Sequence, residues 1–183
     1  YGRPIPTKVW QLRALSDGSL VSGDSLGHIQ LWDGNTGAIV TSFNHNTRKA
    51  DVLDLDVSKN QLKVFASGVD ARVVCIERDR SGVDSPWTLS NVQRAHTHDV
   101  CAVVVFTKKK SFQQREVIIT GGVDTLLCTY NANNFANADP ASYYPWPCKS
   151  LVHVAKHIRV MCFQRESRLD FYKLASEQPE PVT

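Results

Sequence analysis

Long apolar runs are missing from this chain. No stretch approaches the ~18 residues a membrane-spanning helix requires, and the first residues lack the pattern of a secretory signal, so no membrane partner is expected. Methionine occurs once, as Met161, and not at the start, so the sequence reads as part of something longer. A strong excess of either charge is also missing: 21 Lys and Arg face 18 Asp and Glu, and the net +3 permits contact with an acidic polymer without arguing for one. Cysteine is too scattered for a disulfide framework or a zinc site, its five copies at 75, 101, 128, 148 and 162 being odd in number and widely spaced. Reduced, buried thiols in an intracellular compartment are expected. What the 183 residues do have is 42% hydrophobic content, enough for a real core in one or two domains.

One stretch raises the question of catalysis. Gly23-Asp24-Ser25-Leu26-Gly27 fits G-x-S-x-G, and its first four residues resemble the signature of the GDSL esterases. A nucleophile elbow needs a helix behind the serine to supply oxyanion donors. Here His28-Ile29-Gln30-Leu31-Trp32-Asp33 alternates polar and apolar and ends at Gly34-Asn35-Thr36-Gly37, the pattern of a strand and a turn. The Asp-x-x-His that carries the base in those esterases occurs nowhere in the chain. Ser25 is read as a turn residue, and no catalytic residue, cofactor or small-molecule substrate is assigned.

An internal repeat explains the same stretch. Ser22 to Asp33, Ala66 to Glu77 and Thr120 to Asn131 align, each with a small or hydroxyl residue, a tight turn and an alternating run ending in an acid or amide. Their starts lie 44 and 54 residues apart. The first spacing suits a blade of ~40–45 residues, and the second suits one with an insertion, for which polar residues 107–115 are the candidate.

These segments resemble the second-to-third strand hairpins of WD40 repeats, and Ala95-His96-Thr97-His98-Asp99-Val100 is similar to the Gly-His-x-x-x-Val that opens a blade. The resemblance implies an all-β fold of WD40 β-propeller blades. It also implies a buried hydrogen-bonded set of His96, Thr120, Asp124 and Tyr130, with tyrosine in place of the usual tryptophan. The first hairpin keeps Ser22 and Trp32 but has Leu26 at the Asp position. The second keeps Asp70 but has Ala66 and Ile76. Three blades cannot close a ring that needs ~4–8, so the ring is expected to be partial. Residues 1–137 are read as the last blades of a first propeller, 138–147 as a linker, and 148–183 as the first strands of a second propeller with an unstructured tail from Glu177.

The order of landmarks is similar to that in the tandem-propeller WD40 subunits of the UtpA assembly of the small-subunit processome. It is carried by Ser22 to Asp33, Ala50-Asp51-Val52, His96 to Val100, Ile119 to Thr125 and the block from Cys148 to Leu174. That similarity implies a non-enzymatic nucleolar scaffold for pre-18S rRNA processing. Its implied partners are other UtpA subunits, processome proteins and the 5′ external transcribed spacer of pre-rRNA. Lys108, Lys109, Lys110 and Arg115 are the candidate RNA or partner contacts, although a charge run in a loop is most often only solvated.

The sequence admits two other readings. His96 and His98 could face one way on a strand, and His153 and His157 could pair on a helix, but no further Cys or His is in register and no metal is assigned. The alternative function is a WD40 adaptor such as a ubiquitin-ligase substrate receptor. Those adaptors carry Arg two residues after the third strand's final acid, where this chain has Asn35, Asp79 and Asn133.

Overall fold

The computed structural model describes the backbone of residues 6–44, 49–79, 85–110, 113–143, 151–153, 160–165, 168–173 and 180–181, and side chains within 6–44, 49–79, 85–107 and 115–136. All regular structure among them is strand. β1 (Val9–Ala14), β2 (Leu20–Asp24), β3 (His28–Trp32) and β4 (Ile39–Asn44) form one antiparallel sheet in chain order. β5 (Val52–Val57), β6 (Lys63–Gly68), β7 (Val73–Arg78) and β8 (Trp87–Gln93) form the second. β9 (Val100–Lys110), β10 (Gln113–Gly122), β11 (Leu126–Asn131) and β12 (Asn137–Tyr143) form the third. β13 (Leu151–His153), β14 (Val160–Arg165), β15 (Arg168–Lys173) and β16 (Glu180–Pro181) form a fourth. Four-stranded antiparallel sheets in sequential order are WD40-type propeller blades.

The sequence pattern of each strand follows from how many of its faces are covered. The second sheet is buried on both sides: Val64, Ala66, Val74 and Ile76 pack on Val21, Ile29 and Leu31 of the first. Phe65, Val73 and Cys75, one residue out of phase, pack on Val103, Ile118, Cys128 and Tyr130 of the third. Period-two strands with two covered faces need continuous apolar runs, and Val64-Phe65-Ala66 and Val73 to Ile76 supply them. β3 instead alternates, with Ile29 and Leu31 buried and His28, Gln30 and Trp32 partly exposed. Burying each large side chain between sheets contributes about 1.5–3 kcal/mol before entropy is counted.

The three aligned turns are equivalent in backbone as well. Gly27, Ala71 and Thr125 occupy the same repeat position, and all are left-handed, with φ of 80°, 61° and 64°. At Gly27 a Cβ would also lie 2.9 Å from the Ala50 carbonyl oxygen, so glycine is required there on two counts.

Three expectations are corrected. Residues 107–115, read as a polar loop, largely continue the hairpin, with Thr107 to Lys110 of β9 pairing Glu116 to Gln113 of β10. Because strand pairing satisfies the backbone whatever the side chains, a polar segment extends a ladder that apolar neighbours have begun. The stretch read as a linker from 138 contributes residues up to Tyr143 to β12, which pairs with β11 despite Pro140, as an outermost strand allows. The tail beyond Glu177 carries β16, whose two residues pair with Tyr172 and Lys173. Cys148, His157 and residues 144–147 lie outside the described residues.

Candidate functional site

The best-formed polar cluster sits where β9 begins beside the β10–β11 turn. His96 and Asp124 have side chains only 0% and 4% exposed, and His96 Nδ1 lies 3.0 Å from Asp124 Oδ1. A carboxylate can only accept, so Nδ1–H donates and Nε2 is left to accept from the Thr120 hydroxyl at 2.8 Å. The other Asp124 oxygen takes the Thr97 amide at 2.8 Å, and Oδ1 also takes the Leu126 amide at 3.2 Å. Gly122 makes the closeness possible, since a Cβ there would lie 2.6 Å from Asp124 Oδ1 and 2.7 Å from His96 Nδ1. Burial pushes the Asp124 carboxyl up, but His96 and the two amides more than reverse it, holding it below the ordinary Asp value. The cluster's hydrogen bonds are thus made within the blade itself.

Tyr130 stands on the neighbouring strand, where burial and Cys128 push its hydroxyl up while the Thr120 hydroxyl draws it down. Its side chain is fully buried, its ring centroid is 5.3 Å from that of Phe135, and its hydroxyl has no hydrogen-bond partner among the described residues. In the first blade the matching pair is made: Trp32 Nε1 donates to Ser22 Oγ at 2.8 Å. Cys128, beside Tyr130, is a protonated thiol, pushed by burial and by Asp124 to about 11.

Asp70 holds its own turn, accepting the Arg72 amide at 3.2 Å, with Arg72 Nε 3.8 Å from its carboxylate. In the first blade the acid is displaced by two positions. Asp24, only 3% exposed, accepts the amides of Leu26 and His28 at 2.8 and 2.9 Å and lies 3.0 Å from His28 Nδ1. Sequence alignment missed it by looking at Leu26. Ser25 Oγ accepts the Lys8 amide at 3.0 Å, and a strand follows Gly27 directly, so this serine stands in a hairpin and not at an elbow.

A second polar structure, unforeseen from sequence, joins three blades through their first strands. Gln11 Nε2 on β1 donates to Asp54 Oδ1 on β5 at 2.8 Å, and Asp54 Oδ2 accepts the Val103 amide of β9 at 2.9 Å. Two residues along each strand the pattern repeats: Arg13 Nε lies 3.6 Å from Asp56 Oδ1, and Asp56 Oδ2 accepts the Val105 amide at 2.7 Å. The signal that could have found it is Val52-Leu53-Asp54-Leu55-Asp56-Val57, two acids at strand period inside an apolar run. Burial raises the Asp54 carboxyl, and the Val103 amide, Gln11 and Arg13 offset that only in part.

The basic candidates are placed by backbone alone. Lys108 pairs with Arg115, Lys109 with Gln114 and Lys110 with Gln113 at the far end of the β9–β10 hairpin. This end extends well past the blade body, since the corresponding strands β1 and β5 have 6 residues and β9 has 11. Glu116, near its base, accepts the Lys59 amide at 2.6 Å. Among the described residues no group of three or more His, Cys, Asp and Glu is placed to hold a metal ion.

This is a bladed framework in which Asp24 and Asp124 hold their own turns and Asp54 holds a seam between blades. The chain is similar to U3 small nucleolar RNA-associated protein 4 of Schizosaccharomyces pombe, with 29% identity over 168 residues that cover 92% of this chain and 22% of that protein. It is similar also to the homologues of that protein in Mus musculus and Homo sapiens, at 28% and 27% identity, each over 92% of this chain. It spans 22–24% of the length of these relatives. No family model matches the chain.

Proposed function

We propose that this chain is a bladed segment of a cirhin-like, non-enzymatic scaffold of the UtpA assembly. The scaffold would act in the nucleolus to hold proteins and the 5′ external transcribed spacer of pre-rRNA together for pre-18S processing. The observation that carries this reading is the similarity, over 92% of the chain, to proteins named for association with U3 small nucleolar RNA. Blades joined by surface loops suit the holding of partners, and the inwardly bonded set at His96 suits it better than turnover.

Lys108, Lys109, Lys110 and Arg115 are proposed as the RNA-contacting residues. Lys108 and Arg115 are register partners, so the β9–β10 ladder gathers these basic positions at one end of the hairpin. The division into the end of one ring, 1–137, and the start of another, 148–183, belongs to the same proposal. β13 lies beside β9 much as β5 lies beside β1, so cross-linking between those strands in the full-length protein would argue for one continuous ring.

Affinity purification of the tagged full-length protein tests the main reading. U3 RNA and the 5′ spacer should be enriched, and depletion should accumulate uncleaved 18S precursors. Absence of both would end it. For the basic hairpin, neutralising the three lysines should lower the slope of log affinity for 5′-spacer RNA against log salt by about 2–3 units. An unchanged slope removes them from the interface.

A further inference from the structure

The turn between β5 and β6 is clamped by both neighbouring blades. Within it the Ser58 amide donates to the Lys63 carbonyl at 2.9 Å and the Gln61 amide to the Ser58 carbonyl at 2.8 Å. Asn60 Oδ1 accepts the Ser58 hydroxyl at 2.7 Å and the Leu62 amide at 3.1 Å, and Gln61 takes a left-handed φ of 57°. From the first blade, the Ser16 amide donates to Gln61 Oε1 at 2.5 Å. From the third, Glu116 Oε1 accepts the Lys59 amide at 2.6 Å. Glu116 is itself fixed, since it pairs with Thr107 of β9 and its carbonyl accepts the Ala132 amide at 3.1 Å. Lys59 therefore stands on a turn whose backbone is held from within and from two sides.

The same clamp sets Lys59 at the base of the basic hairpin. Arg115 directly precedes Glu116 and pairs with Lys108, and the positions of Lys109 and Lys110 continue that ladder. Lys59 and Arg115 are both exposed. The two lysines of the second blade's turn differ in what they meet. Lys63 is engaged, its ammonium 3.1 Å from Glu77 Oε2 and donating to the Asn133 carbonyl at 2.8 Å. Lys59 has no ion pair among the described residues. Its charge adds to those of the hairpin, and the acid set among them, Glu116, has turned one carboxylate oxygen to the Lys59 amide. A group of charges of one sign raises the local concentration of an oppositely charged ligand.

We propose that Lys59 carries the anion-binding surface of the basic hairpin onto the second blade, where it contacts the phosphodiester backbone of RNA, and that Glu116 is the positioning residue that holds it there. The inference rests on the reading of Lys108, Lys109, Lys110 and Arg115 as RNA contacts and extends their footprint across a blade seam. A nucleic-acid backbone carries a charge at every nucleotide, so one strand can meet bases on two blades at once. Contacts to phosphate fix the register of a complex and read no sequence directly. The contribution of Lys59 is therefore the same for RNAs of different sequence.

Salt titrations of RNA binding to the full-length protein give the test, with a 5′-spacer fragment and an unrelated RNA of equal length as probes. Lys59→Gln leaves in place the amide that Glu116 holds. It should keep the parent's melting temperature and lower the slope of log affinity against log salt by about 0.7–0.9, equally for both RNAs. Glu116→Gln and Glu116→Ala both remove the acid, but only glutamine keeps an acceptor for the Lys59 amide. The glutamine variant should bind at least about threefold more tightly than the alanine variant, and the difference should vanish once Lys59→Gln is added. A slope lowered by neutralising the hairpin lysines but untouched by Lys59→Gln would overturn this inference alone; a slope untouched by either would end the hairpin reading with it. Glu116 variants that bind alike, or a Lys59→Gln protein that loses a protein subunit while its RNA affinity is unchanged, would also overturn it.

Discussion

The Asp54 carboxylate of the second blade accepts the backbone amide of Val103 in the third at 2.9 Å, while its other oxygen is held by Gln11 of the first. One side chain therefore ties three sheets together, and it is only 9% exposed. Asp54→Ala leaves the Val103 amide and the Gln11 amide without their partner. A loss of about 2–4 kcal/mol is expected from chemical denaturation of the full-length protein. In a double-mutant cycle with Gln11→Ala, coupling of at least about 0.5 kcal/mol is expected. Strict additivity would remove the bridging role.

Asp124→Ala should destabilise the third blade by more than about 1 kcal/mol, because His96 and the Thr97 amide lose their acceptor. The pH dependence has a defined sign. The folded carboxyl lies below its unfolded value, so its stabilisation is fully present above the unfolded value of ~3.9 and is lost as pH falls through the folded one. The deficit of the variant against the parent should be largest near neutrality and should shrink below about pH 4. Melting curves across pH measure it, and a deficit constant down to acid would contradict the assignment.

Tyr130→Phe should be neutral or stabilising by up to about 1 kcal/mol, since it removes a buried hydroxyl that meets no partner in good hydrogen-bonding geometry, although Thr120 and Cys128 act on it, and leaves the ring packing on Phe135 in place. A loss above 1 kcal/mol, read by denaturant titration, would mean that the hydroxyl has a partner.

Thr125 is a β-branched residue held at φ 64°, a conformation that glycine adopts without cost and threonine does not. Thr125→Gly should raise stability by about 0.5–1 kcal/mol, the relief of strain exceeding the added freedom of the unfolded chain. The same change at Ser25, whose φ is not left-handed, should lower it. Melting temperatures of the two variants should move in opposite directions.

Much of the architecture was legible in the residues because a repeat shows itself several times. The spacing of the hairpins that start at Ser22, Ala66 and Thr120 showed the repeat, and the alternation in His28 to Trp32 excluded a helix behind Ser25. Strands whose side chains carry no apolar signal were not legible. Residues 107–116 and 137–143 pair because a neighbour offers them a ladder, not because their own pattern requires it. Side chains that work between blades were the least visible, since whether Asp54 meets Val103 depends on the stagger of two sheets, which neither strand's own pattern specifies. Asp24 was missed for a smaller reason: its acid reached the turn from two positions earlier than the repeat dictates.

The paired rungs from Gln11 and Arg13 through Asp54 and Asp56 to Val103 and Val105 have a mechanical consequence. Sliding one sheet along its neighbour by a single residue would break both rungs at once, so the blades behave as a keyed shaft and not as a hinge. Two points on different blades of such a body would keep a constant spacing.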